Sequence, residues 1–285
     1  MKKNVMKICC AVLAIAVIAA LLIAVRGCHR EEPIVPPTTA PATEATQTVP
    51  TEDETQPPTV PVGEVIPTVD KQSELAAARK KNPDTVAWLY IPGAEVDDPV
   101  MQAEDNGHYL WLGEDGEYST WGCYYAHCDN NLKSRSKLDK NTTIFGHAAN
   151  NCDPDGPKLT TLHRYLDADY VKENPYIYLS VKGSDMVFQI TACFVTTTDF
   201  DYIVTNPTGE EQTDFFEQIA KKNWLRFDGV TFGPEDTILT LSTCCRKYDM
   251  ANTGEVRLVV MAKLLPQGAV AQDFTVQLVP NPEMP

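Results

Sequence analysis

The run Thr240-Leu241-Ser242-Thr243-Cys244 ends an apolar strand on a thiol, and Arg257 follows thirteen positions later within the next apolar run. Upstream, Thr143-Ile144-Phe145-Gly146-His147 ends another apolar strand on an imidazole. A thiol is a strong nucleophile only as its thiolate, a state that a neighbouring imidazole favours. The same imidazole can protonate an amine leaving group. Attack on an amide builds negative charge on the carbonyl oxygen, and a fixed guanidinium stabilises that charge. The three residue types are a sufficient set for acyl transfer through a thioester. Singly, each has an ordinary explanation: a satisfied histidine, an inert buried thiol, a surface charge. The signal lies in their combination, at strand ends, in the order His, Cys, Arg.

Short β-rich runs must position these groups. Alternation and β-branched content predict strands over Thr85–Ile91, Val96–Met101, Gly122–Ala126 and Asn141–Gly146. Tyr176–Val181 and Met186–Thr198 flank Gly183-Ser184 as a hairpin, and Thr237–Thr243 and Val256–Leu265 are the last strong strands. Helical patches fall at Ser73–Lys81, with Ser73 as N-cap and Asn82-Pro83 as the stop, and at Asp105–Leu112, Lys158–Leu166 and Thr213–Trp224. In the last of these Phe215, Phe216, Ile219 and Ala220 share one face. Many strands with scattered helices make the chain mainly β, a barrel or sandwich decorated with helices.

The ends of the chain read differently. Ile8 to Val25 is an uncharged run of 18 residues, which spans roughly 27 Å as a helix, close to a bilayer's hydrocarbon core. Lys2, Lys3 and Lys7 precede it, which favours a cytoplasmic N-terminus and an exported remainder. A cleaved signal peptide, or lipidation at Cys28, is the alternative. Glu31 to about Asp70 is rich in Pro, Thr and Glu, with almost no large apolar residues, and reads as a disordered, semi-rigid stalk. The expected organisation is a cytoplasmic segment (1–7), a transmembrane anchor (8–25), a stalk (26–71), a catalytic domain (72–266) and an unassigned tail (267–285). It describes a single-pass protein with its folded domain on the extracellular face of the membrane. The net charge of −15 excludes a phosphate-backbone partner.

Nine cysteines occur, none in a paired C-x-x-C metal spacing. A domain of this size does not need a disulfide framework. Cys123 or Cys128 pairing with Cys152 is one possibility, and buried free thiols at Cys193 and Cys123 are the other. Neither a metal nor a cofactor is expected.

Thr240-Leu241-Ser242-Thr243-Cys244, Gly146-His147 and Arg257 in Val256-Arg257-Leu258-Val259-Val260 together resemble the sortases, cysteine transpeptidases of Gram-positive surfaces. Ser242 resembles class B. So do Asn82-Pro83-Asp84-Thr85-Val86-Ala87-Trp88 with Ile91-Pro92-Gly93, the Asp105-Asn106 segment with Tyr109-Leu110, Tyr165-Leu166-Asp167, and the helix before the cysteine strand. The resemblance runs from about residue 72 to 266. It implies a closed eight-stranded β-barrel with peripheral helices. It also implies that Cys244 attacks the threonine carbonyl of a sorting signal (Asn-Pro-x-Thr or Leu-Pro-x-Thr-like) near a surface protein's C-terminus. An amine on a peptidoglycan precursor would then resolve the thioacyl-enzyme; in a pilus-polymerising relative a pilin lysine does so. By position, His147 is the acid/base and Arg257 the oxyanion and substrate clamp. Asn106, Leu110, Thr198, Tyr202, Ile203, Ser242 and Thr243 match substrate-groove positions.

Departures from the class pattern are local. Ala148-Ala149-Asn150 follows Gly146-His147 where Asn-Met is common, and Tyr125-Ala126-His127 brings a second imidazole. The segment Cys245–Glu255, beside the nucleophile, is longer than usual. Cys245 competes with Cys244, but adjacent side chains of an extended backbone face opposite ways, and the motif selects Cys244. Rival cysteine peptidases of the papain and NlpC kinds place Cys before His, the reverse of this order. A binding domain on a degenerate barrel would not need all three groups.

Overall fold

The computed structural model describes residues 60–285. The predicted anchor lies outside them, as does most of the predicted stalk. Among the described residues no helix is long and apolar enough to cross a membrane.

Among the described residues, ten strands and three α-helices follow in chain order: α1 (Gln72–Lys81), β1 (Thr85–Ile91), β2 (Val96–Met101), β3 (Tyr124–Ala126), β4 (Asn141–Phe145), α2 (Ala168–Glu173), β5 (Tyr176–Val181), β6 (Ser184–Thr196), α3 (Gly209–Lys222), β7 (Leu225–Asp228), β8 (Ile238–Cys244), β9 (Arg257–Leu264) and β10 (Thr275–Leu278). Eight of the strands close a barrel in the order β1-β2-β3-β4-β8-β9-β6-β5, with β5 returning to β1. The expected closed eight-stranded barrel is therefore present. Strand β1 keeps the period of two, burying Thr85, Ala87, Leu89 and Ile91 and turning the residues between them outward. Strand β8 is buried at every position but the last, and β9 at its five central ones, Leu258 to Ala262. The 3-10 segment Lys158–Leu166 packs across the outside of both, so their two faces are covered. Phe188, Phe194, Leu239, Leu241 and Val259 lie at the centre of the core, each fully buried.

Closure dictates where the chemistry sits. Strand β4 runs parallel to β8, with Phe145 opposite Ser242. Strand β8 runs antiparallel to β9, with Cys244 opposite Arg257. The ends of three neighbouring strands thus meet at one rim of the barrel.

Several boundaries differ from those predicted, each for a local reason. Lys71, not Ser73, occupies the N-cap of α1, and the Asp70 carboxylate accepts from Gln72 N at 2.9 Å. The β5–β6 turn falls on Lys182 and Gly183, where Gly183 supplies a positive φ of 75° and Ser184 already pairs with Val181. Asp105–Leu112 is not a helix. Asp105 Oδ1 takes the N–H groups of Gly107 and His108, and only a short 3-10 turn follows at His108–Trp111. Helix α3 starts at Gly209 and stops before Trp224, whose N–H joins Cys193 O at 2.9 Å.

The folded unit also extends past both expected limits. The end of the predicted stalk forms a bridge with the predicted tail: Val65 pairs with Val270, and Ile66 N donates to Ala269 O at 2.8 Å. Ile66 and Ala271 are buried there with Tyr178, Val187 and Leu265. The tail continues into β10, which pairs with β7, and Glu283 then meets Lys221 and Lys222 of α3. Cys123, Cys128, Cys152, Cys193, Cys244 and Cys245 are all free, so the Cys152 pairing is not made. Cys123 is instead packed with Met101 and Tyr109, while Cys152 Sγ accepts from Lys247 N.

Candidate active site

His147 is carried two residues past the end of β4, and three contacts hold that end. Gly146 N donates to Ser242 O at 3.3 Å, Thr243 Oγ1 donates to Gly146 O at 2.7 Å, and Leu159 N donates to His147 O at 2.9 Å. Glycine lets this end pack closely at 146: a Cβ there would meet Leu159 Cγ at 2.8 Å and Tyr124 Cδ1 at 2.9 Å, so one of them would have to shift. The imidazole Nε2 pairs with Leu110 O at 2.5 Å. A carbonyl only accepts, so Nε2 carries the hydrogen, and in the neutral ring Nδ1 is the nitrogen that can take a proton. The Trp111 ring lies against the imidazole, with centroids 4.8 Å apart and planes at 32°.

Cys244 and Arg257 face each other across the β8–β9 ladder, and both are half-buried. Arg257 Nη1 donates to Gly254 O at 2.7 Å and Val256 O at 3.1 Å, so the loop after Cys244 holds the guanidinium. That loop is itself closed by Asp249. Its carboxylate accepts from Gly254 N at 2.7 Å, Thr253 N at 2.9 Å and Arg246 Nη1 at 3.4 Å. The Gly254 bond, followed by those from Thr253 and Arg246, holds the Asp249 carboxyl below the usual carboxylate range.

One groove of about 300 Å³ joins these elements. His147, Cys244 and Arg257 line it, as do Asn106, Leu110 and Thr198. Tyr202, Ile203, Ser242 and Thr243 complete the set singled out in the sequence. Not all of them offer free polar groups. The Thr243 hydroxyl is spent on Gly146 O, and Asn106 Oδ1 accepts from Cys128 N at 2.8 Å. Tyr202 Oη and Ser242 Oγ are 3.0 Å apart and both buried. Burial raises the Tyr202 pKa, against the opposing effects of the Ser242 bond and the Arg257 charge.

Tyr125 and Phe145 also line the groove and were not anticipated. They are cross-strand partners on β3 and β4, with rings 5.2 Å apart. An aromatic in a short strand reads as core, and no spacing in the sequence distinguished these two. Burial pushes Tyr125 up to about 12, and the Cys244 sulfur beside it acts in the same direction. His127 does not line the groove. Its Nδ1 accepts from Asp129 N at 3.2 Å. Cys245 is fully buried on the opposite side of the strand from Cys244, as alternation requires. Burial pushes its thiol up to about 12, which keeps it protonated and poorly nucleophilic near neutral pH.

The barrel and this arrangement of thiol, imidazole and guanidinium define a cysteine acyl-transfer enzyme of the sortase kind. Residues 89–265 match the family model of the Sortase domain, and the chain belongs to the sortase family of cysteine transpeptidases. Sortase B of Listeria monocytogenes is 33% identical over 196 residues, 68% of this chain and 75% of that protein. Among solved structures, the Staphylococcus aureus sortase B–substrate complex matches with a TM-score of 0.59 and 26% identity, covering 71% of this chain and 86% of that one. Clostridium perfringens sortase B matches with a TM-score of 0.57 and 26% identity, covering 67% and 99%. The class B resemblance is borne out by these relatives.

Proposed function

We propose that the groove receives the C-terminal sorting signal of an exported surface protein and that Cys244 cleaves it after threonine. The observation that carries this reading is the convergence of all ten singled-out residues on one groove, with Cys244 and Arg257 paired across a ladder. The Cys244 thiolate adds to the threonine carbonyl, and the oxyanion develops toward Arg257. Oxyanion donors of this kind are worth roughly 3–4 kcal/mol, or about 10²–10³ in rate. His147 gives a proton to the departing amine, leaving a thioester on Cys244. It then takes a proton from the incoming amine, which attacks the thioester and frees the thiol. An amine on a peptidoglycan precursor is the proposed acceptor, so the product is a surface protein joined to the cell wall. The apolar run 8–25 and the Pro-rich stretch after it support an anchored enzyme working on the outer face of the membrane.

Fluorescence-quenched peptides ending in Asn-Pro-x-Thr or Leu-Pro-x-Thr contexts test this, with and without an added oligoglycine or lysine amine. Cleavage after threonine is expected, with the product partitioning to the amine adduct as amine is added. His147→Ala should abolish turnover. Arg257→Ala should cut it by orders of magnitude, and Arg257→Lys should not restore it. Cleavage that persists in Cys244→Ala, or no cleavage of any such peptide, would sink the proposal.

A further inference from the structure

Behind the groove lies a group of side chains that acyl transfer leaves unused. Cys152, His163 and Cys245 are buried together, and a donor atom of each lies within 4.8 Å of the others. Three separate stretches supply them: the loop after His147, the 3-10 segment Lys158–Leu166, and the residue after Cys244. Cys152 reaches this position with a left-handed backbone, φ 53°, that a non-glycine residue rarely adopts.

The ring orientation is fixed. His163 Nδ1 donates to Thr160 O at 2.8 Å, so Nε2 of the neutral ring carries a lone pair. That lone pair faces Cys245 Sγ at 3.5 Å. Ligating histidines are held in this way, with one N–H on a carbonyl and the other nitrogen turned to the ion. The spacing agrees as well. Bonds of about 2.3 Å to sulfur and about 2.0–2.1 Å to nitrogen at a tetrahedral angle put the two donor atoms about 3.6 Å apart. Lys247 N donates to Cys152 Sγ at 3.3 Å, a bond that strengthens once the sulfur is a thiolate.

We propose that Cys152 Sγ, His163 Nε2 and Cys245 Sγ form a binding site for one thiophilic divalent ion of the Zn(II) class. Two sulfur ligands and one imidazole select such an ion over Mg(II) or Ca(II), which take oxygen. Binding releases two thiol protons to solvent and forms two metal–thiolate bonds and one metal–imidazole bond, with no change of oxidation state. A water fills the fourth position. The ion ties the loop that follows His147 to the strand end that carries Cys244. It therefore acts as a positioning element for the catalytic pair and touches neither substrate nor reacting atoms.

The test uses the full chain, purified in a mild detergent and reduced. It is loaded with Zn(II), dialysed against metal-free buffer and analysed for bound zinc, with Co(II) as a spectroscopic probe. One zinc per chain is expected, with a rise in the unfolding midpoint and a thiolate-to-Co(II) charge-transfer band. Zinc and the band should be lost in Cys152→Ser and Cys245→Ser, greatly weakened in His163→Ala, and retained in Cys244→Ala. Where a variant fails to fold, the wild-type Co(II) spectrum decides, since two thiolate ligands give twice the intensity of one. No stoichiometric zinc in the wild type, or zinc that survives Cys245→Ser or disappears in Cys244→Ala, would overturn the proposal. So would a Cys152–Cys245 disulfide standing in place of the ion in protein isolated from cells.

Discussion

Replacing Asn141 with alanine should untie the side of the groove from the barrel. Asn141 is fully buried at the start of β4. Its Nδ2 donates to Tyr202 O at 2.9 Å and Val204 O at 3.0 Å, and its Oδ1 accepts from Thr240 Oγ1 at 2.6 Å. Truncation leaves two carbonyls and a hydroxyl without their partner. Each such orphan costs about 1–3 kcal/mol. Some relaxation around the small cavity is expected, so we set the total at about 3–5 kcal/mol. A domain of this size loses roughly 2–4 °C of melting temperature per kcal/mol, which gives a fall of about 6–20 °C. Tyr202 and Ile203 line the groove from the released segment, so KM for the peptide should rise more than kcat falls. Thermal unfolding followed by circular dichroism reads the first effect and steady-state peptide cleavage the second. Asn206→Ala is the control. That side chain bonds Lys140 N and Asp139 at the surface and should cost less than about 1 kcal/mol. A melting temperature for Asn141→Ala within about 2 °C of wild type would refute the reasoning.

Other expected outcomes concern the rim. Tyr202→Phe removes the hydroxyl that meets Ser242 Oγ and should cost about 1 kcal/mol in stability, measured by denaturant unfolding, while leaving the thioester chemistry intact. Gly146→Ala drives a methyl into Leu159 and Tyr124, both buried; about 1–3 kcal/mol and a drop in kcat are expected, because His147 is the next residue. Asp249→Ala should loosen the loop that holds Arg257 and lower kcat/KM at every pH. In the wild type the folded carboxyl titrates below its unfolded value of about 3.9, so its stabilisation is complete above that value. It is lost only as pH falls through the lowered folded value. The ratio of wild-type to Asp249→Ala activity should therefore be flat between about pH 5 and 8.

The barrel strands were legible because they are rich in β-branched and aromatic residues, as in β1, or carry a short apolar run, as at Leu258–Ala262 of β9. Strands β7 and β10 were not, being four residues each and stabilised by pairing with one another across the tail. The Pro-rich stretch before α1 looked unable to fold, yet Val65 and Ile66 find partners more than two hundred residues away, at Val270 and Ala269. Composition cannot reveal such a contact. Helix α2 has only six residues, although its cap, Asp167, was visible in Tyr165-Leu166-Asp167. At the site, the thiol, imidazole and guanidinium stood out because each ends or begins a strand in a specific local pattern. Tyr125 and Phe145 did not, since a groove-lining aromatic and a core aromatic look alike in a short strand. The Cys152, His163 and Cys245 cluster was hidden for another reason: its members come from three separate stretches, at spacings of 11 and 82 positions that match no short metal-ligand motif.

Cys244 is the proposed carrier of the acyl group. Intact-protein mass spectrometry of the full chain with a sorting-signal peptide, quenched before the amine is added, tests it most directly. One adduct is expected, with the mass of the peptide up to its threonine, mapped to Cys244, removed by added amine and absent from Cys244→Ala. An adduct on Cys245, or one that persists in Cys244→Ala, would contradict it.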